Sequence, residues 1–526
     1  MALSLQLKPI LDILLVIVHI IVDKLLEFLL GWYLGPRKHL SSTLTPGEEK
    51  IVLKSAVELA KLIRERELTS YEVVKVFLER IKTLNPQINA VVDGPFPEAL
   101  EQAKAIDVRF AKGDISEQEL IQKPFLGVPF TTKDSTAVAT KLHTLGLVSR
   151  KDIRAKDDAE CIRLMKESGA IIIATSNVPE VNKWMETRNM LIGNTNNPYD
   201  LRRSCGGSSG GEGALITSCC TAFGLGTDIG GSIRIPAFNC GIFGHKTTKN
   251  VVNMRGCTFR TGNEKETMVV AGPMSKYATD LLPILKVIAG PKMCDILKLN
   301  EKVDLKKLNY FYIPCNDMPQ CNPINDETKM TMLKIRNHFK SLTGKEVKCI
   351  KLPGSEISGK MWRYWMTQEP ANFSLLLGNG VKLNPFVELF KKLIGRSQFS
   401  MAAIFGLIDG ILPQEKESFI KEATIKCKEA LKEILGENGV LFYHSSPRTA
   451  PFHYYPLVKF TDFYYFAIFN VLHVPVTQVP MGIDNSGMPL GIQVVANEMN
   501  DRLCLSVAEE LERVFGGWVP SFPVKN

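Results

Sequence analysis

Ser208 and Ser209 stand side by side in GGSSGGEGA (residues 206–214), and Ser232 follows two more glycines in GTDIGGSIRIPA (residues 226–237). Glycine is used where the backbone needs positive φ or a close approach, so such a seat for hydroxyls suits a phosphate-binding loop, a flexible surface loop or a nucleophile. The phosphate loop is excluded because no GK[ST] follows to supply its lysine. A flexible linker fits poorly, because the loop runs straight into the small-residue helical stretch EGALITSCC. The third use is the best match. The successive backbone N–H groups of Ile229, Gly230, Gly231 and Ser232 can curl into a nest, the donor set that a tetrahedral oxyanion requires. A serine at the end of that nest places its hydroxyl next to the carbonyl it attacks. The pattern is not the GxSxG elbow, since Arg234 stands where the last glycine belongs.

A serine nucleophile needs a base. The chain has eight histidines, and none sits in a motif that recommends it. Lys133, at the end of the apolar run PFLGVPFTTK (124–133), is a second candidate. Neutral lysine is a competent base if burial lowers its pKa from ~10.4 toward 7 or 8.

These residues need a scaffold. Strand candidates besides 124–133 are 169–175, 221–228, 308–313, 346–352, 440–445, 474–480 and 489–496, with a helix over 415–436. A helix opening on Thr69 and Glu72 in capping-box spacing is expected to stop at Asn85-Pro86. Alternation of this kind predicts an α/β fold with a mixed, mostly parallel-looking central sheet.

The motifs GGSSGGEGA, GTDIGGSIRIPA and PFLGVPFTTK, with FGHK (243–246), VPVTQVPMG and PLGIQVVA further on, resemble the amidase signature family from about residue 50 to the end. Within it the chain is similar to the membrane-anchored, second type of animal fatty-acid amide hydrolase. The resemblance implies the amidase-signature fold, a large twisted mixed sheet with helices on both sides. It also implies a Ser-Ser-Lys triad: Ser232 as nucleophile, Lys133 as ultimate base and Ser208 bridging them through a cis peptide after Gly207. Ser209, Asp228 and Arg234 become supporting neighbours, and Trp184 and Met185 part of the acyl channel wall. Two positions depart from the family pattern, Asp134 in place of glutamate and Thr247-Thr248 where proline is usual after GHK or GLK. The implied activity is hydrolysis of fatty-acid amides, such as primary amides or N-acylethanolamine-type lipids, without metal or cofactor. Short-chain amidase, N-acyl amino-acid hydrolase and a catalytically silent lipid-binding or scaffold protein are the alternatives.

The 526 residues include 45% hydrophobic and 23% charged, a globular balance. The net charge of +9 is mild and scattered, which argues against nucleic acid and suits an anionic membrane. The 12 cysteines form no CxxC pair and read as reduced thiols in a cytosol-facing domain. Residues 9–35 are nearly all apolar and long enough as a helix to cross a core of ~30 Å, with no signal-peptide cleavage site. Asp12, His19, Asp23 and Glu27 line one stripe of that helix, and Trp32 and Tyr33 mark an interfacial end. The expected organisation is a retained membrane anchor (1–35), a polar linker (36–49) and one catalytic domain (50–526). The anchor either spans the bilayer or lies in its interface, on an endomembrane or a lipid droplet. The competing reading is an amphipathic helix covering the protein's own surface or a homodimer partner. Residues 385–412 combine aromatic and aliphatic side chains with Lys391, Lys392 and Arg396. The resemblance makes this segment a helical cap that touches the membrane and admits substrate; ordinary core packing is the alternative.

Overall fold

The alternating apolar runs assemble into one eleven-stranded mixed sheet. Its strands are β1 (Val91–Asp93), β2 (Pro129–Lys133), β3 (Ile171–Ser176), β4 (Phe223–Asp228), β5 (Phe243–Lys246), β6 (Val270–Ser275), β7 (Asn309–Tyr312), β8 (Lys348–Cys349), β9 (Gly439–His444), β10 (Val476–Ile483) and β11 (Pro489–Ala496). Their spatial order is β1-β3-β2-β4-β6-β5-β10-β11-β9-β7-β8. The computed structural model describes residues 2–264, 267–314, 318, 320–370 and 372–524, with side chains in the first helix from Leu14 onward. Every residue of β4, β6, β9 and β11 is buried, as expected for strands covered by helices on both faces.

The sheet is less parallel than its pattern suggests. β2 runs parallel to β3 and β4, and β7 to β8 and β9, while the other six pairings are antiparallel. The antiparallel centre depends on β5 and β6, whose sequences FGHK and VAGPMS carry buried His245 and Lys246 or an internal Gly-Pro. Neither composition advertises a strand.

The capping box of Thr69 and Glu72 forms, each backbone N–H donating to the other's side chain. The helix it opens passes Pro86 and ends at Ile88, capped by left-handed Asn89 (φ 49°), later than the Asn-Pro pair suggested. The linker is also shorter than expected, because Thr45 and Glu48 cap a helix from Pro46 to Val52.

The N-terminal helix α1 (Ala2–Leu34) corrects the spanning expectation: among the described residues no helix is long and apolar enough to cross a membrane. Its polar stripe turns inward onto the catalytic body. Asp23 pairs with Arg448 and accepts from Tyr455, Glu27 pairs with Arg448 and Arg203, and His19 meets Lys459. Asp12, the fourth stripe residue, lies outside the described side chains. The opposite face looks out, with Ile21 at 59%, Phe28 at 71%, Trp32 at 78% and Tyr33 at 72% exposure.

The 385–412 segment divides in two. On α2 (Pro385–Leu393) Phe386, Phe390 and Leu393 are exposed at 64%, 63% and 75%, whereas on α3 (Met401–Asp409) Ala403, Ile404 and Leu407 are buried. Its cations are partly engaged: Lys391 pairs with Glu388, and Lys392 donates to the Phe399 carbonyl.

Candidate active site

Lys133 ends β2 with neighbouring strands on both sides and is fully buried. Its Nζ lies 2.8 Å from Ser208 Oγ and 2.8 Å from Thr227 Oγ1. Burial pushes its pKa down to about 7, against the opposing pull of Asp228, Cys257 and Glu212. Near neutral pH a large fraction is therefore a neutral amine, able to accept the Ser208 proton. The Gly207–Ser208 peptide is cis. A Cβ on Gly207 would fall 2.5 Å from the Trp184 carbonyl oxygen, so glycine alone fits there.

Ser208 and Ser232 both line a cavity of about 530 Å³, and Lys133 sits behind Ser208. Ser232 makes no side-chain hydrogen bond among the described residues. The hydrogen-bond chain is thus closed from Lys133 to Ser208 and open between the two serines. Ser209 is a backbone neighbour, its N–H donating to the Ser232 carbonyl at 3.1 Å and its hydroxyl to that of Thr227 at 3.4 Å. Trp184 and Met185 line the same cavity, together with Trp362, Phe405, Phe460 and Tyr464.

The nest departs from expectation at one position. Gly231 N–H donates to Asp228 Oδ1 at 2.8 Å, so it is committed to holding the loop and is not an oxyanion donor here. Ile229, Gly230 and Ser232 are not engaged with that carboxylate. Gly231 has φ +120°, and a Cβ there would lie 2.6 Å from Phe466 Cβ.

Asp228 and Arg234, both fully buried, form a two-point pair of 3.0 and 3.1 Å. Arg234 also donates to the Phe466 carbonyl, Gln493 and Asn470, while Asn470 donates back to Asp228. Burial pushes the Asp228 carboxyl up, but the adjacent guanidinium outweighs it and holds the group well below the usual range.

No histidine lines the cavity among the described residues. His245 is held by Thr477 and Asp501, and His453 by Glu186. Burial drives His444 down to about 4 and His473 to about 3. The two departures from the family pattern are internally satisfied. Asp134 accepts from Thr144 N–H and Oγ1, burial raising it to about 6. Thr247 donates its hydroxyl to the Ala271 carbonyl at 3.2 Å, and Thr248 donates both its N–H (2.8 Å) and its hydroxyl (2.6 Å) to Asp501.

Sequence reasoning missed Thr227 and Trp362. Thr227 precedes Asp228 on β4, and the register that pairs Thr132 with Leu225 puts it by alternation on the face opposite Lys133, so no strand pattern signals the contact that forms at the strand end. Trp362 donates its indole N–H to the Ile229 carbonyl at 2.8 Å, and its ring closes over Gly230. It comes from a distant helix, Ser358–Thr367, and no spacing connects it with the nest.

The family model described as Amidase matches residues 72–310. Human fatty-acid amide hydrolase 2 is 39% identical over 498 residues, covering 92% of this chain and 93% of that protein. Fatty-acid amide hydrolase 2-A of Danio rerio is 37% identical, covering 92% of each. Among solved structures, one titled fatty acid amide hydrolase matches with a TM-score of 0.72 at 20% identity, covering 91% of this chain and 88% of that one. At that identity the match speaks to the fold.

Proposed function

This chain belongs to the amidase signature family of hydrolases, and on that premise we propose that it cleaves fatty-acid amides through an acyl-enzyme on Ser232. The observation that carries the reading is Lys133 Nζ at 2.8 Å from Ser208 Oγ, buried behind an apolar cavity that also holds Ser232. In the proposed step, neutral Lys133 takes the Ser208 proton as Ser208 takes that of Ser232. Ser232 Oγ attacks the amide carbon, and the oxyanion forms against the N–H groups of Ile229, Gly230 and Ser232. The relay returns the proton to the departing nitrogen, and water then hydrolyses the ester.

The test is a series of primary amides of increasing acyl length. Each methylene entering the cavity contributes about 0.8 kcal/mol, so kcat/KM is expected to climb roughly fourfold per carbon until the cavity is filled. Highest efficiency on the shortest members would favour a short-chain amidase. Because Lys133 must be neutral, the rate should fall about tenfold per unit below its pKa of about 7 and level off above it.

The protein's membrane association is proposed to run through the outward apolar face of α1 and through Phe386, Phe390 and Leu393 of α2, with α1 lying in the interface. Both ends of such a helix stay on the side of the catalytic domain. An N-terminal tag on protein in sealed microsomes should be digested by external protease together with that domain. A protected tag beside a digested domain would contradict the in-plane placement.

A further inference from the structure

Beyond the serines, the cavity wall holds a polar group that the amide chemistry leaves unused. Arg260 lines the cavity with its side chain 8% exposed, and its Nη2 donates to Glu369 at 2.7 Å. Glu369 also accepts from Thr267 Oγ1 at 2.9 Å and Met268 N–H at 2.6 Å, so its oxygens are well used. Arg260 Nη1 is buried and makes no hydrogen bond among the described residues. A buried guanidinium N–H without an acceptor is costly, and the wall of a substrate cavity is where a ligand would supply one.

The charge around it points the same way. Lys183, Arg260 and Arg363 line the cavity against only Glu369 and Asp409. Arg363 is paired with Asp409 at 2.8 Å, leaving Lys183 without a carboxylate among the described residues. Lys183 instead rests over the Phe373 ring at 4.3 Å and donates to the Gly406 carbonyl at 3.3 Å. The cavity thus combines extensive apolar wall with one cation, Lys183, that no described carboxylate pairs and whose pKa burial lowers. An acyl chain uses the apolar wall, and only the amine half of a lipid amide has chemistry to answer the charge.

We propose that the amine half of the preferred substrate carries a carboxylate, as in an N-acyl amino acid, received by Arg260 with Lys183 as a second cation. The proposal rests on Ser232 as the nucleophile. Cleavage breaks the acyl C–N bond, adds one water, and releases a fatty acid and a free amino acid. With Nη2 committed to Glu369, the free Nη1 supplies the contact, a charge-assisted hydrogen bond whose direction the planar guanidinium fixes.

The test compares N-oleoylglycine with its neutral amide, N-oleoylglycinamide, through the ratio of their kcat/KM values. The native protein should favour the acid. Arg260→Gln should lower the ratio at least tenfold, mainly through KM for the acid, and Arg260→Lys should restore part of it. Lys183→Gln should lower it less. Cleavage of both substrates with the ratio unmoved by Arg260→Gln would overturn the proposal and leave the Ser232 reading standing. Cleavage of neither, with no fluorophosphonate adduct on Ser232, would overturn both.

Discussion

Lys133→Ala is expected to lower kcat on a fatty-acid amide by about 10⁴-fold, since it removes the base of the relay. Ser208→Ala should cost a comparable factor, because Ser208 is the cavity hydroxyl that Lys133 Nζ touches and, in the proposed step, the carrier of the Ser232 proton. The double variant should be scarcely worse than either single one, as groups acting in one relay are strongly non-additive. Both truncations are local and leave the Asp228–Arg234 network intact, so the variants should unfold near the native midpoint. Steady-state rates and thermal melts on the same preparations check this. Near-native turnover in Lys133→Ala would remove lysine as the base, in a cavity that no described histidine lines.

The second large effect is on stability. Arg234→Ala leaves Asp228 fully buried without its countercharge, and breaking a buried pair this way typically costs about 3–5 kcal/mol. Arg234→Lys should recover little, because one ammonium cannot replace the donors to Asp228, Phe466, Gln493 and Asn470. Activity should fall as well, since Asp228 also holds Gly231 and Ile233 N–H and so shapes the nest. Denaturant titration of the two variants is the measurement. A loss under about 1 kcal/mol in Arg234→Ala would show that the network is dispensable.

What the sequence disclosed follows from how local each signal is. The glycine-serine loops were legible because close packing and positive φ leave glycine where Gly207 and Gly231 stand. Strands β3, β4, β9 and β11 were legible because burial on both faces leaves continuous apolar runs. Strands β5 and β6 were not, because their polar and Gly-Pro residues are satisfied by partners distant in sequence, as His245 is by Asp501. The polar stripe of α1 is legible as a stripe, and its docking on the protein's own surface is the competing reading rather than the main one. Whether His19, Asp23 and Glu27 meet water, lipid or Arg448 and Lys459 depends on where a remote segment folds. Gly231 shows the same limit within the site. Spacing indicates a run of four N–H groups, and only the position of Asp228 decides which of them is already taken.

The central claim is that Ser232 is the nucleophile. Treatment of the full-length protein with an alkyl fluorophosphonate, followed by peptide mapping, tests it in one measurement. The predicted result is a single adduct on Ser232, absent from Ser232→Ala and formed far more slowly in Lys133→Ala. An adduct on Ser208, Ser209 or any other residue of the native protein, with Ser232 unmodified, would contradict the account.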